Sequence, residues 1–162
     1  MTLRKKTLVS TFSPKCVVDH LGAVPKGGND DAVLVVAACK NEARIYDSAT
    51  EELHASVGLG DNIVAMSVHP TNKHFIVATR GGKLHMIRLG AEANDIKHVA
   101  IFSSDDNDGS VEYACGEIHP DGLLYAVGTT TGKIQLWDLK SKNLAATLEV
   151  RFFYYSLSWI CL

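Results

Sequence analysis

The sequence predicts an all-β chain of about three four-stranded antiparallel units, incomplete and open at its ends. Two observations predict it. Helical periodicity is almost absent: apolar residues fall in short runs rich in Val, Ile, Leu and Ala, punctuated by Gly, Asn, Asp or Pro. The chain also repeats itself. "SVHPTNKHFIVATRGGKLHMIRL" at 67–89 lies over "EIHPDGLLYAVGTTTGKIQLWDL" at 117–139 without a gap, at an offset of 50 residues. A weaker copy, "AVLVVAACKNEARIYDSATEELHASV", occupies 32–57, and from its Tyr46 to the matching Ile87 is 41 residues. Periods of ~40–45 residues with four strands each are the signature of a radially repeated all-β architecture.

The elements follow in order. In the first unit the apolar runs are Cys16–Val24, Ala32–Cys39, Ala43–Tyr46 and Leu53–Val57. The second unit has Ile63–Val68, Phe75–Thr79, Leu84–Leu89 and His98–Phe102. The third has Tyr113–Ile118, Leu123–Thr129, Ile134–Leu139 and Leu144–Val150. No helix is long enough to cover a parallel sheet, so the strands meander antiparallel. In the second and third units a His-Pro turn (His69-Pro70, His119-Pro120) joins the first strand to the second. Their recurrence gives both histidines a structural turn role. A glycine turn ending in Gly82-Lys83 or Gly132-Lys133 joins the second strand to the third. The expected organisation is an N-terminal segment at 1–15, units at about 16–58, 62–103 and 111–150, and an apolar tail at 151–162. The first strand of each unit lines a central channel, and Ile63-Val64-Ala65-Met66 is apolar enough for burial on both faces.

"KIQLWDLKSKNLAATLE" at 133–149 reads as a third strand closing in Trp137-Asp138, a turn and an outer strand. It resembles the WD-repeat β-propeller family. "YACGEIHPDGLLYAVGTTTGKIQLWDLKSKNLAATLE" (113–149) and "AMSVHPTNKHFIVAT" (65–79) narrow the resemblance to late blades of the pre-mRNA-processing factor nineteen family. It covers roughly residues 32 to 149; the third unit carries it specifically and the first only generically. That family has an N-terminal U-box, a tetramer-forming coiled coil and a C-terminal propeller. The resemblance implies a nuclear role in the spliceosome and, for the whole protein, ubiquitin transfer. These 162 residues hold no U-box or coiled-coil sequence, so no residue here is assigned ligase chemistry.

A regular WD blade places a Gly-His before its first strand and an Asp in the turn before its third, joined with Ser/Thr and Trp in a buried hydrogen-bond network. Thr129 and Trp137 match two members. Thr131-Gly132 replaces the turn Asp, no Gly-His precedes Ile63 or Val111, and Ile87-Arg88 replaces Trp-Asp in the second unit. A degenerate network is expected, with more reliance on apolar packing.

Other motifs point to less. "GTTTGK" (128–133) has three residues between its glycines where a phosphate loop needs four. Ile134 stands where the loop needs a Mg-binding hydroxyl, and a strand-like run follows instead of a helix. "SDDNDGS" (104–110) places Asp106 and Asp108 like calcium ligands, but Cys115 falls where the bidentate Glu belongs. His69, His74 and His85 lack the carboxylate or Cys company of a metal site. Cys16, Cys39, Cys115 and Cys161 form no C-x-x-C pair and read as buried small apolar residues of a reducing compartment. The net charge of −2, with basic and aromatic residues not interleaved, argues against nucleic acid as a direct partner, and no segment reaches membrane-helix length. No cofactor, metal or catalytic residue is expected.

Three units are fewer than a propeller needs to close. The simplest expectation is a fragment or an incomplete gene model. The tail "VRFFYYSLSWICL" is either a divergent first strand or translated non-coding sequence, the latter favoured. The function expected is a protein-interaction scaffold in splicing or ubiquitin-linked complexes. Lys40, Glu42, Arg80 and Lys133 lie near its contact face, since loops on a rigid platform carry binding. Alternatives are a WD-repeat adaptor unrelated to splicing, a nucleotide-binding domain using Gly128–Lys133, or a non-functional truncated product.

Overall fold

The computed structural model describes residues 17–25, 33–90, 95–103 and 111–149. The expectations for residues 1–15, for the 104–110 loop and for the 151–162 tail lie outside these. The described residues form twelve strands and no helix. In the first sheet β1 is His20–Pro25, β2 Val33–Cys39, β3 Glu42–Asp47 and β4 Leu53–Gly58. In the second, β5 is Ile63–Val68, β6 His74–Thr79, β7 Lys83–Leu89 and β8 Ile96–Ser103. In the third, β9 is Tyr113–Ile118, β10 Leu124–Thr129, β11 Lys133–Asp138 and β12 Asn143–Glu149. Each sheet is a meander with its strands in sequence order, all pairs antiparallel.

The sheets stack face to face as blades. One apolar cluster joins the first two: Val36, Ala43, Ile45 and Ala55 meet Phe75, Val77 and Ile87. A second joins the second and third: Ile76, Leu84, Met86 and Phe102 meet Tyr113, Tyr125, Val127 and Trp137. Both faces of the middle blade are therefore buried, and β6 reads as a nearly continuous apolar run, Phe75-Ile76-Val77-Ala78. Each fully buried aromatic or branched side chain here is worth ~1.5–3 kcal/mol. The inner strands β1, β5 and β9 lie beside one another.

The structure corrects three expectations. β5 is not buried on both faces: Ile63 and Ala65 are buried while Val64 and Met66 are half-buried. The pairing of β5 with β6 shifts between Ile63 and Ala65. This turns Ile63, Met66 and Val68 toward the first blade and Val64 and Ala65 toward the third. Cys39 is buried as expected but is disulfide-bonded rather than a free thiol. β1 also starts later than the apolar run suggested and ends at Pro25, which an edge strand accepts because no ladder donor is needed there.

A repeated irregularity shapes each blade. The pairing of third and fourth strands shifts between Ile45 and Tyr46, between Met86 and Ile87, and between Leu136 and Trp137. These are the same repeat position. A bulge there sharpens the local right-handed twist, which lets an outer strand swing away from the next blade.

Candidate functional site

The turns between second and third strands share one end of the molecule. The first two are stitched to the segment entering the next blade, and the third to the segment entering its own. Ile63 N–H donates to Lys40 O (2.6 Å) and Leu59 N–H to Asn41 O (2.9 Å). Arg80 N–H donates to Asn62 O (2.8 Å), Tyr113 N–H to Arg80 O (3.0 Å), and Thr130 N–H to Glu112 O (2.8 Å). Asp61 adds a carboxylate clamp on the Gly81 N–H. Lys40, Arg80 and Thr130 thus occupy equivalent places along one continuous, backbone-braced rim, all exposed. Such bracing fixes where the side chains start and leaves their ends in water.

The four residues expected at a contact face separate here. Lys40, Arg80 and Lys133 are exposed on this end. Among the described residues their charged groups have no ion-pair partner. Glu42 stands apart: it takes two hydrogen bonds from Arg44, at 3.0 Å from Nε and 2.9 Å from Nη2, and is half-buried. That pairing raises the Arg44 guanidinium above its ordinary value. Lys83, which opens β7 as Lys133 opens β11, is exposed beside them.

The "GTTTGK" turn spends two of its donors on itself. Lys133 N–H donates to Thr129 Oγ1 (3.0 Å) and Gly132 N–H to Thr129 O (3.1 Å). Gly132 takes φ 81°, as Gly82 takes 77° at the equivalent place. The strand β11 follows directly, so no helix N-terminus faces a phosphate.

The His-Pro turns define the opposite end. His69 Nδ1 accepts from Thr71 N–H (3.1 Å), and its Nε2 lies 3.0 Å from Gly122 O. A neutral ring protonated on Nε2 satisfies both contacts, so His69 ties the second blade to the third. His119 Nδ1 accepts from Asp121 N–H (3.3 Å) in the matching turn. Asn72 and Gly122, again equivalent, both take positive φ, 56° and 75°. His74 stands edge-on to His69 at 6.0 Å; burial first, then the neighbouring His69 ring, lowers its pKa. Among the described residues no group of three His, Cys, Asp or Glu could hold a metal, and no helix is long and apolar enough to cross a membrane.

With this geometry, known proteins offer a direct comparison. No protein-family model matches the chain. It is 30% identical over 126 residues to pre-mRNA-processing factor 19 homolog 2 of Arabidopsis thaliana, covering 75% of this chain and 23% of that protein. It is 22% identical over 123 residues to pre-mRNA-processing factor 19 of Oryza sativa subsp. japonica, covering 74% and 22%. The Cps50 (Swd1) β-propeller domain of Myceliophteria thermophila superposes with a TM-score of 0.62, at 13% identity, over 72% of this chain and 38% of that chain. The chain is a WD-repeat propeller segment resembling pre-mRNA-processing factor 19. It spans less than a quarter of the length of these curated relatives.

In this WD-repeat segment the family's polar network is broken where the sequence suggested. Trp137 is buried edge-on to Phe102 at 6.0 Å, and its Nε1 has no hydrogen-bond partner. Thr129 Oγ1 serves its own turn and pairs with Thr131 Oγ1 at 2.9 Å. Asp138 closes the strand by accepting from Lys140 N–H (2.8 Å) and Ser141 N–H (3.0 Å); these bonds, Ser141's first, hold its carboxyl below the usual range. Asp47 does the same for Ala49 N–H (2.8 Å), so the Tyr46-Asp47 and Trp137-Asp138 pairs share a local role. Two polar contacts escaped sequence reasoning. Ser67 Oγ donates to Glu117 (3.0 Å) across the blades, and Tyr113 OH donates to Gln135 (3.0 Å) within the third. Ser67 and Glu117 are repeat equivalents, so comparing polar residues at matched inner-strand positions would have found the first.

Proposed function

We propose that this segment is a protein-docking platform within a pre-mRNA splicing complex of the nucleus, and that the longer protein links that complex to ubiquitin transfer. The observation that carries the docking assignment is the braced rim, with Lys40, Arg80 and Lys133 exposed and, among the described residues, without ion-pair partners. A contact surface needs side chains held on a rigid frame yet free to bind, and this end supplies both. The splicing context is supported by the named relatives, and the link to ubiquitin transfer by resemblance to the factor-nineteen family.

The test is co-purification of tagged chain from nuclear extract, followed by detection of splicing-complex proteins and ubiquitin ligases. The native chain is expected to retain them. The triple variant Lys40→Glu/Arg80→Glu/Lys133→Glu is expected to lose them with an unchanged β-sheet circular dichroism spectrum. Equal retention by both chains would remove the docking face from consideration. Failure of the native chain to capture any splicing protein would refute the splicing assignment.

A further inference from the structure

His85 is the least accommodated polar side chain among the described residues. It lies in β7 on the face that carries Ile87, paired across β6 with Val77, and that face packs on the first blade. It is 4% exposed, and neither ring nitrogen has a hydrogen-bond partner. A neutral imidazole can tolerate this at a cost. An imidazolium cannot, since it carries two N–H donors and a charge with no acceptor in reach.

The surroundings add to the difficulty. From β8, His98 stands edge-on to the His85 ring at 5.7 Å. Lys83 lies on the same strand, two residues away. Asp61, from the connection between the blades, is the acidic group acting on the ring, and its carboxylate is already shared between the Gly81 and Asn62 N–H groups. β6 presents apolar Val77. The first blade presents Val36, Ala43, Ile45 and Ala55, with His54 buried in β4, its Nε2 also unpartnered.

We propose that the seam between the first two blades is an acid-released joint. Protonation of His85 opens that seam and exposes its apolar faces, while the seam between the second and third blades stays closed. The second seam is held by His69 to Gly122 and by Ser67 to Glu117, neither of which needs a buried charge to vanish. Burial first, then His98 and Lys83, lowers the His85 pKa from 6.5 to about 4. The open seam returns the ring to water and to its ordinary value. The closed seam therefore holds its full advantage above about pH 6.5 and loses it as pH falls toward 4. The opening constant is expected to rise about thirtyfold between pH 7.5 and pH 5.

Two measurements on the full chain test this. A ¹⁵N ring titration should find His85 neutral to near pH 4; titration near 6.5 would overturn the joint. Hydrogen exchange, corrected for intrinsic rates, should show protection of β2, β3 and β7 falling about thirtyfold over that pH range, with β9 and β10 unchanged. His85→Leu should abolish the slope and His54→Gln should keep it. A slope that survives in His85→Leu, or one equal in β9 and β10, would refute the proposal. The ring titration uses native protein and stands even if a variant fails to fold.

Discussion

The two seams between blades are both built on apolar clusters, one mainly aliphatic and one rich in aromatics, and treat their polar groups in opposite ways. The seam of the second and third blades is tied by His69 to Gly122 and by Ser67 to Glu117. Among the described residues, it leaves the Trp137 indole N–H and the Tyr125 hydroxyl without a geometric hydrogen-bond partner. Those groups stay neutral over the working pH range, and burial pushes the Tyr125 phenol further up. Their cost is fixed. The seam of the first and second blades instead leaves both nitrogens of the His85 imidazole unpaired. Its cost depends on protons. The difference teaches that an orphaned polar atom is a constant burden when it does not titrate and a switch when it does.

The largest expected effect tests the apolar part of the second seam. Trp137→Ala removes a fully packed indole from the cluster with Phe102, Tyr113 and Leu84. It should cost ~3–5 kcal/mol in denaturant unfolding. Trp137→Phe should cost much less, because the lost N–H has no partner to leave behind. If Trp137→Phe proves as damaging as Trp137→Ala, the indole nitrogen has a hidden role and the network is not broken there.

Acid separates the seams next. Because the folded pKa of His85 lies at about 4, below its unfolded value of 6.5, native protein should lose up to about 3 kcal/mol as pH falls from 6.5 to 4. The sign follows from proton count: the unfolded chain binds the proton that the folded chain refuses. Urea midpoints measured across that range should flatten in His85→Leu. A midpoint independent of pH in the native chain would contradict the burial of a neutral ring.

This is also where the sequence was least readable. The twelve strands were legible because apolar runs and turn residues report strand structure locally. The His-Pro turns were legible because a repeat at fixed offset marks His69 and His119 as one position. The bulges at Tyr46, Ile87 and Trp137 were not, since an extra residue in a ladder leaves no compositional trace. His85 looked like one of several scattered histidines, and its burial comes from packing against a blade some forty residues away. Of the rim, the repeat placed Arg80 and Lys133 near matching turns. It gave no sign that Glu42 pairs with Arg44, a contact set by side chains two apart on one strand face.

Backbone geometry gives a smaller contrast between the seams. Gly82 sits at φ 77°, and a Cβ there would lie 2.5 Å from the Val111 carbonyl oxygen, at the entry to the third blade. Gly82→Ala should cost roughly 1–3 kcal/mol, since both the dihedral and a backbone atom must yield. Gly58, ending β4 beside the first seam, has nothing within 4 Å of its would-be Cβ. Gly58→Ala should change stability by less than about 0.5 kcal/mol. Thermal melts of the two variants side by side settle this, and equal destabilisation would mean that close approach at Val111 is not what fixes Gly82.

The smallest effect carries the most information about docking. Lys40 takes φ 54° in its turn, a conformation that side chains other than glycine adopt at a cost. Lys40→Gly should therefore stabilise the fold by a few tenths to about 1 kcal/mol, offset in part by the freer unfolded chain. The same change removes one of three exposed cations from the braced rim. Most surface substitutions confuse lost contact with lost structure. Here the two effects have opposite signs, so a variant that melts higher and captures fewer partners can owe the loss only to the missing side chain. A variant that melts higher and binds as before would confine docking to Arg80 and Lys133.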